Sequence, residues 1–431
     1  MMKKMVHMML TCLIGFSLLM TGCSQSTSGD GAKVEKSITL RLATWDDAEA
    51  AKNTQILIDE FEKENPNIKV QFEPTSDDYM TKLRTSIAAG NPADVMMVDE
   101  WPTLYSVQPF EPLDGYFESQ DFDYTIYAPS VLKLWQHEGK QYGMPADINL
   151  TGFYYNKKLF DEAGLPYPDE NWTWYDVENY AQQLTQGDGP EKTYGVFMQS
   201  NWTGAVEPML WGNGSSLIDE DNNYKGVMNA QDTVEAVEWY TSFEKNGLSP
   251  KSATTKAMGG AAEMFKTGKI ALMLGGHWNL QNFKSSEGFD IENIGTVGLP
   301  AGPGGVKPAV IFSAGWHISK ESKHKEAAFK LLIKMSGKEA QKMKAEAGWS
   351  LPAIPSLLPE LGFEDDPLRK PFIDMAYGEE YTIDRFSIYF SPIGNAIHEE
   401  LSIALEKVIL DKADAKTALD DAVKNIENME K

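Results

Sequence analysis

Residues 38–101, ITLRLATWDDAEAAKNTQILIDEFEKENPNIKVQFEPTSDDYMTKLRTSIAAGNPADVMMVDEW, carry the pattern that decides the fold. Ile38, Leu40 and Leu42 alternate with Thr39 and Arg41, the period of a half-buried strand, and Ala43-Thr44-Trp45-Asp46 ends it. Leu57, Ile58 and Phe61 then recur at helical spacing until Asn65-Pro66 breaks the run. Ile68, Val70 and Phe72 alternate again. Ser76-Asp77-Asp78 opens a second helix through Met80, Leu83 and Ile87, stopped by Gly90-Asn91-Pro92. Val95-Met96-Met97-Val98 is apolar without interruption, as a strand buried on both faces requires. This β-α-β-α-β order predicts an α/β fold with a parallel sheet covered by helices, whose ligands gather in the loops beyond the strand C-termini. Trp45-Asp46 and Asp99-Glu100-Trp101 fall in those loops, so one sheet edge offers two tryptophans and three carboxylates.

Outward from this unit, helical stretches dominate from about Leu150 to Val306. Ala230 to Lys245 is one, with Val234, Val237 and Tyr240 on a single stripe. Residues 298–308, GLPAGPGGVKP, read as a linker, followed by a strand at Ala309–Phe312 and a helix at Lys325–Met335. Ile397–Met429 is helical in pattern, interrupted at Ala413-Asp414-Ala415-Lys416-Thr417. The roughly 394 residues from Ile38 to Lys431 exceed what one compact core holds and suit two lobes. A chain that goes over, returns and goes over again joins such lobes by several strands, a hinge architecture.

At the N-terminus, Lys3 and Lys4 precede an apolar run, Met5–Met20, too short and wrongly flanked to span a membrane, so it reads as a secretion signal. Met20-Thr21-Gly22-Cys23 resembles the bacterial lipobox, with Met20 where leucine is preferred; the resemblance implies cleavage before Cys23 and diacylation of its thiol. Cys12 leaves with the signal, so no disulfide forms within the mature chain. Ser24–Ser37 is small and polar, a flexible tether. The expected organisation is therefore signal 1–22 and lipid-anchored tether 23–37. The formal charge of −24 becomes −26 once Lys3 and Lys4 are removed (−24 − 2). Such a surface repels nucleic-acid backbones and offers anionic lipids no polybasic patch, leaving the acyl chains as the membrane contact.

Catalytic signatures are missing. The six histidines (7, 137, 277, 317, 324 and 398) form no H-E-x-x-H pair, and no G-x-S-x-G or Walker A loop occurs. Asp219-Glu220-Asp221-Asn222-Asn223 imitates the start of a calcium loop, but Tyr224 replaces its glycine and Ala230 its closing glutamate, so an exposed hairpin turn is expected. No cofactor or metal is expected.

Several segments, in order, resemble the solute-binding proteins of bacterial ABC importers, family 1, which includes maltose- and multiple-sugar-type receptors. They are Ile87–Val95, Tyr142-Gly143-Met144-Pro145, Gly152–Lys157, Leu159–Leu165, Trp172-Thr173-Trp174, Met264–Leu272, Gly275-Gly276-His277-Trp278 and Gly315–Lys320. The resemblance implies a two-lobed periplasmic-binding-protein-like fold (type II), with lobes 38–148 plus 307–348 and 149–306 plus 349–431 closing on a ligand. It implies delivery to the two membrane subunits of an ABC permease with its cytoplasmic ATPases, from the outer face of the cell membrane, as a monomer.

Saccharides present planar arrays of hydroxyls and apolar C–H faces, so a binder wants aromatic platforms and rim acceptors. Trp45, Asp46, Asp99, Glu100 and Trp101 qualify by strand-end position. Asp147 and Asn149 at the first crossing, together with Trp202, Trp278 and Trp316, qualify by their match to the family's cleft. Gly275-Gly276 leaves room for the Trp278 ring. Arg385 and Tyr389, near the last cleft-facing helix of the family pattern, are further candidates. Trp172 and Trp174 read as structural, and Tyr155 as core. Two alternatives are a secreted glycoside hydrolase, since 63 acidic residues make carboxylate pairs commonplace, and a lipoprotein presenting ligand to a membrane sensor kinase.

Overall fold

Alternating and continuous apolar runs become strands where the sequence places them. The computed structural model describes residues 37–99, 104, 107–200, 202–219, 221–378, 382–383, 391 and 393–430. The expectations on the signal, most of the tether, Cys23, Glu100, Trp101, Arg385 and Tyr389 lie outside the described residues. In chain order come β1 (Ile38–Thr44), α1 (Ala50–Glu64), β2 (Ile68–Pro74), α2 (Tyr79–Ala88) and β3 (Val95–Val98). Then follow β4 (Gly143–Pro145), β5 (Asn149–Asn156), α3 (Trp174–Leu184), β6 (Tyr194–Phe197), α4 (Thr203–Gly212) and α5 (Gln231–Lys245). Next are β7 (Ile270–Gly276), β8 (Ile294–Val297), β9 (Ile311–Phe312) and β10 (Gly315–Ile318). Helices α6 (Lys325–Ser336), α7 (Lys338–Glu346), α8 (Gly394–Ile409) and α9 (Ala415–Met429) complete the set, with shorter helices between.

Two five-stranded sheets result. The first has the order β2-β1-β3-β10-β4. Its β1, β2 and β3 are parallel, as expected, but β10 runs antiparallel to both β3 and β4, so the sheet is mixed. β3 forms its centre because all four side chains are at most 2% exposed. The second sheet has the order β8-β5-β7-β6, with β9 also paired to β5. Local chemistry sets the helix ends. Asp47 Oδ1 accepts from the Glu49 and Ala50 N–H groups, both at 2.9 Å, at the start of α1, and Asp414 accepts from the Thr417 N–H at 2.7 Å before α9. Asp78 stands at the start of α2 as read, yet its side chain makes no cap bond; its backbone is left-handed (φ 52°).

One core assignment changes. Tyr154, not Tyr155, is the buried member of that pair: its hydroxyl donates to the Gly276 carbonyl at 2.8 Å, while Tyr155 is half-buried against Phe160 and Tyr167. The alternation of β5 puts one tyrosine on each face. Beyond the linker at 298–308 the chain stays with the second sheet. Ile311 and Phe312 pair with Leu150 and Asn149 of the second sheet, and the chain crosses only between Phe312 and Gly315. Trp172 and Trp174 are structural, as read: Trp172 Nε1 donates to the Gly298 carbonyl at 2.9 Å, and Trp174 stacks on Trp239 at 3.9 Å.

The segments linking the sheets are bonded to one another. The Ala146 N–H donates to the Ala314 carbonyl at 2.7 Å, and Ile148 and Leu351 exchange backbone bonds at 2.9 and 2.8 Å. Buried Gln341 of α7 donates to the Pro145 carbonyl at 2.9 Å and accepts from the Ala353 N–H at 2.7 Å.

Candidate functional site

A cavity of about 580 Å³ opens where the two sheets meet. The first sheet supplies Trp45 and Asp46 from the end of β1 and Asp99 from the end of β3. Tyr79, at the first turn of α2, fixes that edge. Its hydroxyl donates to the Met97 carbonyl at 2.8 Å, with the Ala43 carbonyl at 3.1 Å, and its ring meets Trp45 edge-on at 5.7 Å. Asp46 is 9% exposed and accepts from the Thr54 hydroxyl of α1 at 2.5 Å, which aims its carboxylate. Asp99 faces the opening yet is closely surrounded by protein. The loss of water pushes its carboxyl above the usual range, the Asp147 charge adds to this, and Arg84 opposes it.

The second sheet supplies rings. Trp278, just past β7, lies edge-on to Trp202 at 6.1 Å and to Phe312 of β9 at 6.5 Å, while Trp202 and Phe312 are 5.0 Å apart. The expected clearance at the glycine pair is real: a Cβ on Gly276 would sit 2.2 Å from the Trp278 ring. Between the walls, Asp147 accepts from the Ala314 N–H at 3.2 Å, and its carbonyl accepts from the Ser313 hydroxyl at 2.6 Å. Asn149 Oδ1 is buried with no hydrogen-bond partner. It is an acceptor at the cavity wall that a ligand hydroxyl would satisfy.

The structure thus brings Trp45, Asp46, Asp99, Asp147, Asn149, Trp202 and Trp278 to one cavity. Trp316 is the exception: it is 0% exposed, in the middle of β10, and lies outside the lining. The returning strand carries it into the core of the first sheet, a placement that depends on antiparallel pairing the parallel reading lacked. Phe312 and Lys344 line the cavity although nothing in the sequence marks them as contacts, and Trp349 lines it as well. Phe312 was legible as a strand residue but not as a partner of Asn149. Lys344 sits on a helix whose polar residues give no sign of which face meets the cavity.

The imitation calcium loop is a turn closed on itself, where Asp219 Oδ1 accepts from the Asp221 and Asn223 N–H groups at 3.0 and 2.8 Å. Among the described residues no cluster of three metal-ligating side chains occurs, and no helix is long and apolar enough to cross a membrane.

Residues 46–342 match the family described as bacterial extracellular solute-binding protein, and the chain belongs to that family. It is a family of binding proteins, which agrees with the reading of a receptor rather than an enzyme. Relatives of known name span nearly all of the chain. The galactooligosaccharide-binding protein of Bacillus subtilis (strain 168) is 26% identical over 97% of this chain and 96% of its own length. A maltooligosaccharide ABC transporter solute-binding lipoprotein of Streptococcus pneumoniae serotype 4 is 26% identical over 94% and 93%. A Brucella abortus (strain 2308) protein named in general terms as a binding protein is 30% identical, but the match covers 63% of this chain and only 65% of that protein. Among solved structures, an ABC substrate-binding protein from Listeria monocytogenes in complex with cycloalternan superposes with a TM-score of 0.79 at 26% identity, covering 91% of this chain and 99% of that one.

Proposed function

We propose that this chain is the receptor of an ABC importer, capturing an uncharged oligosaccharide at the outer face of the cell membrane and handing it to the permease subunits. One observation carries the reading: aromatic platforms from one sheet (Trp202, Trp278, Phe312) face carboxylates and a ring from the other (Asp46, Asp99, Trp45) across a single cavity. That is the pairing of stacking faces with hydroxyl acceptors that a sugar requires. The named relatives that bind galactooligosaccharide, maltooligosaccharide and cycloalternan support it. In this reading Cys23 carries the lipid, residues 23–37 are the tether, and the two lobes, one built on each sheet, close about the bonded crossings, a hinge motion stabilised by ligand contacts on both sides.

The test is thermal unfolding of the chain against a panel of mono- and oligosaccharides, since a ligand bound only by the folded state raises the midpoint. A saturable rise with one sugar class, the sugar recovered intact, is expected. A sugar consumed during the assay would revive the hydrolase. Replacement of Cys23 by Ser should release the chain from membranes into the medium, and retention would count against the anchor.

A further inference from the structure

We infer that the Asp147–Lys344 pair is the charge-selectivity element of the cavity, admitting uncharged saccharides and turning away acidic ones. The inference rests on the saccharide reading above and goes on to name the feature of the ligand that is refused. Among the described lining residues, four carboxylates (Asp46, Asp47, Asp99 and Asp147) face a single cation, Lys344. That cation is already engaged. Its Nζ lies 3.7 Å from Asp147 Oδ2 and 5.6 Å above the ring centroid of Trp316. Trp316 is fully buried, so the tryptophan expected to touch ligand instead supplies the platform beneath the lysine.

Asp147 is held beside its partner by bonds of its own. Its other carboxylate oxygen accepts from the Ala314 N–H at 3.2 Å and its carbonyl from the Ser313 hydroxyl at 2.6 Å, both in the segment that crosses between sheets. The two side chains are only 17% and 25% exposed. A ligand carboxylate or phosphate therefore meets three further aspartates and an ammonium whose charge is spent within the protein. Drawing Lys344 toward such a ligand would strand Asp147 as an unpaired, partly buried charge, which costs more than a new pair returns. A hydroxyl-rich neutral ligand asks only for acceptors and leaves the pair intact. Lys344 is thus a positioning residue for Asp147, and Asp147 is the residue that withholds the lysine from anions.

The experiment compares calorimetric titrations of the wild-type chain, Asp147→Asn and Lys344→Met. The probes are maltotriose, mannotriose and galactotriose, each also supplied with its primary alcohols oxidised to carboxylates. For whichever neutral probe binds, the oxidised form should bind the wild type weaker by on the order of tenfold or more, and the gap should shrink at high salt. Asp147→Asn frees Lys344 for the ligand and should narrow the gap several-fold, chiefly by tightening the oxidised probe. Lys344→Met should leave the gap at least as wide. A purely structural role for the pair would weaken both probes alike and leave their ratio unmoved. Equal binding of neutral and oxidised probes to the wild type overturns the selectivity alone, as does an unchanged ratio in Asp147→Asn with an unliganded melting midpoint close to wild type. If Asp147→Asn fails to fold, a ratio narrowed by Lys344→Met overturns it. Failure of every neutral probe to bind the wild type overturns the saccharide reading and this inference with it.

Discussion

The two walls of the cavity differ in chemistry. The first sheet's edge is acidic, with Asp46, Asp47 and Asp99 around one ring, Trp45; the second sheet's edge is aromatic, with Trp202, Trp278 and Phe312 in mutual contact. Carboxylates hold hydroxyls by direction, whereas rings hold C–H faces by area. A wall of one kind would bind its ligand in the open state as well as the closed one. In the proposed reading, dividing the two kinds between sheets would give full affinity only when both walls reach the same molecule, coupling binding to closure.

The largest expected effect ignores this division, and so serves as its control. Each sheet buries one fully enclosed histidine, His317 in β10 and His277 just past β7, and burial pushes both down to about 3; His398 of α8 is pushed down to about 4. Burial favours the neutral form of each in the fold, for His398 against the Glu207 carboxylate 3.2 Å from its Nδ1, and all protonate near 6.5 once unfolded. The unfolded state therefore binds more protons at every pH between those values. Stability should be intact above pH 6.5 and fall as pH drops toward about 3, with up to about one proton, or ~1.4 kcal/mol per pH unit, from each histidine. Urea melts across that range should show the slope, and His277→Phe should remove about one proton from it. A flat profile would mean that the histidines are already charged in the fold.

The aromatic wall breaks next. Trp278→Ala should weaken oligosaccharide binding by at least ~1 kcal/mol through lost stacking. Trp202→Ala should do likewise, and the double variant should cost less than the sum, because the two rings touch. Calorimetry would check both, and additivity would mean that the rings act on separate parts of the ligand. A subtler cut is Gly276→Ala, whose new methyl would lie 2.2 Å from the Trp278 ring and force it aside. Its loss of affinity should approach that of Trp278→Ala while every aromatic residue remains in place. Unchanged binding would show that the ring's position is not what the ligand reads.

The acidic wall was the more legible in the sequence, and the reason is physical. Strands 38–44 and 95–98 announce themselves by period and by continuous apolarity, and a residue that directly follows such a strand must lie at the sheet edge, so Trp45, Asp46 and Asp99 could be placed from order alone. The aromatic wall depends on pairings far apart in the chain. Phe312 reaches it only because Ile311 and Phe312 pair with Leu150 and Asn149, a register that no local pattern in 298–312 encodes. Trp278 was placed through its match to a family segment, with Gly275-Gly276 as the one local clue. Trp316 shows the same dependence in reverse: its strand returns antiparallel beside β3 and carries the ring into the core.

The smallest effect separates the walls most cleanly. Asp99 sits in a pocket that raises its carboxyl above the usual range, first by burial and then by the neighbouring Asp147 charge. Its charged form is held at a cost to the unliganded fold. Asp99→Asn should therefore raise the melting midpoint of the empty protein slightly while weakening sugar binding, because the charged acceptor is lost. The sign follows from linkage. A carboxyl whose folded value is raised costs nothing in acid, where both states are protonated, and costs progressively more as pH rises through the ordinary carboxylate range and up to its folded value. The gap in midpoint between Asp99→Asn and wild type should open in that direction and close in acid. No such gap is expected for Trp278→Ala at any pH, since a ring carries no proton. If Asp99→Asn instead lowers the midpoint and leaves binding alone, the acidic wall is scaffolding, and recognition belongs to the aromatic wall.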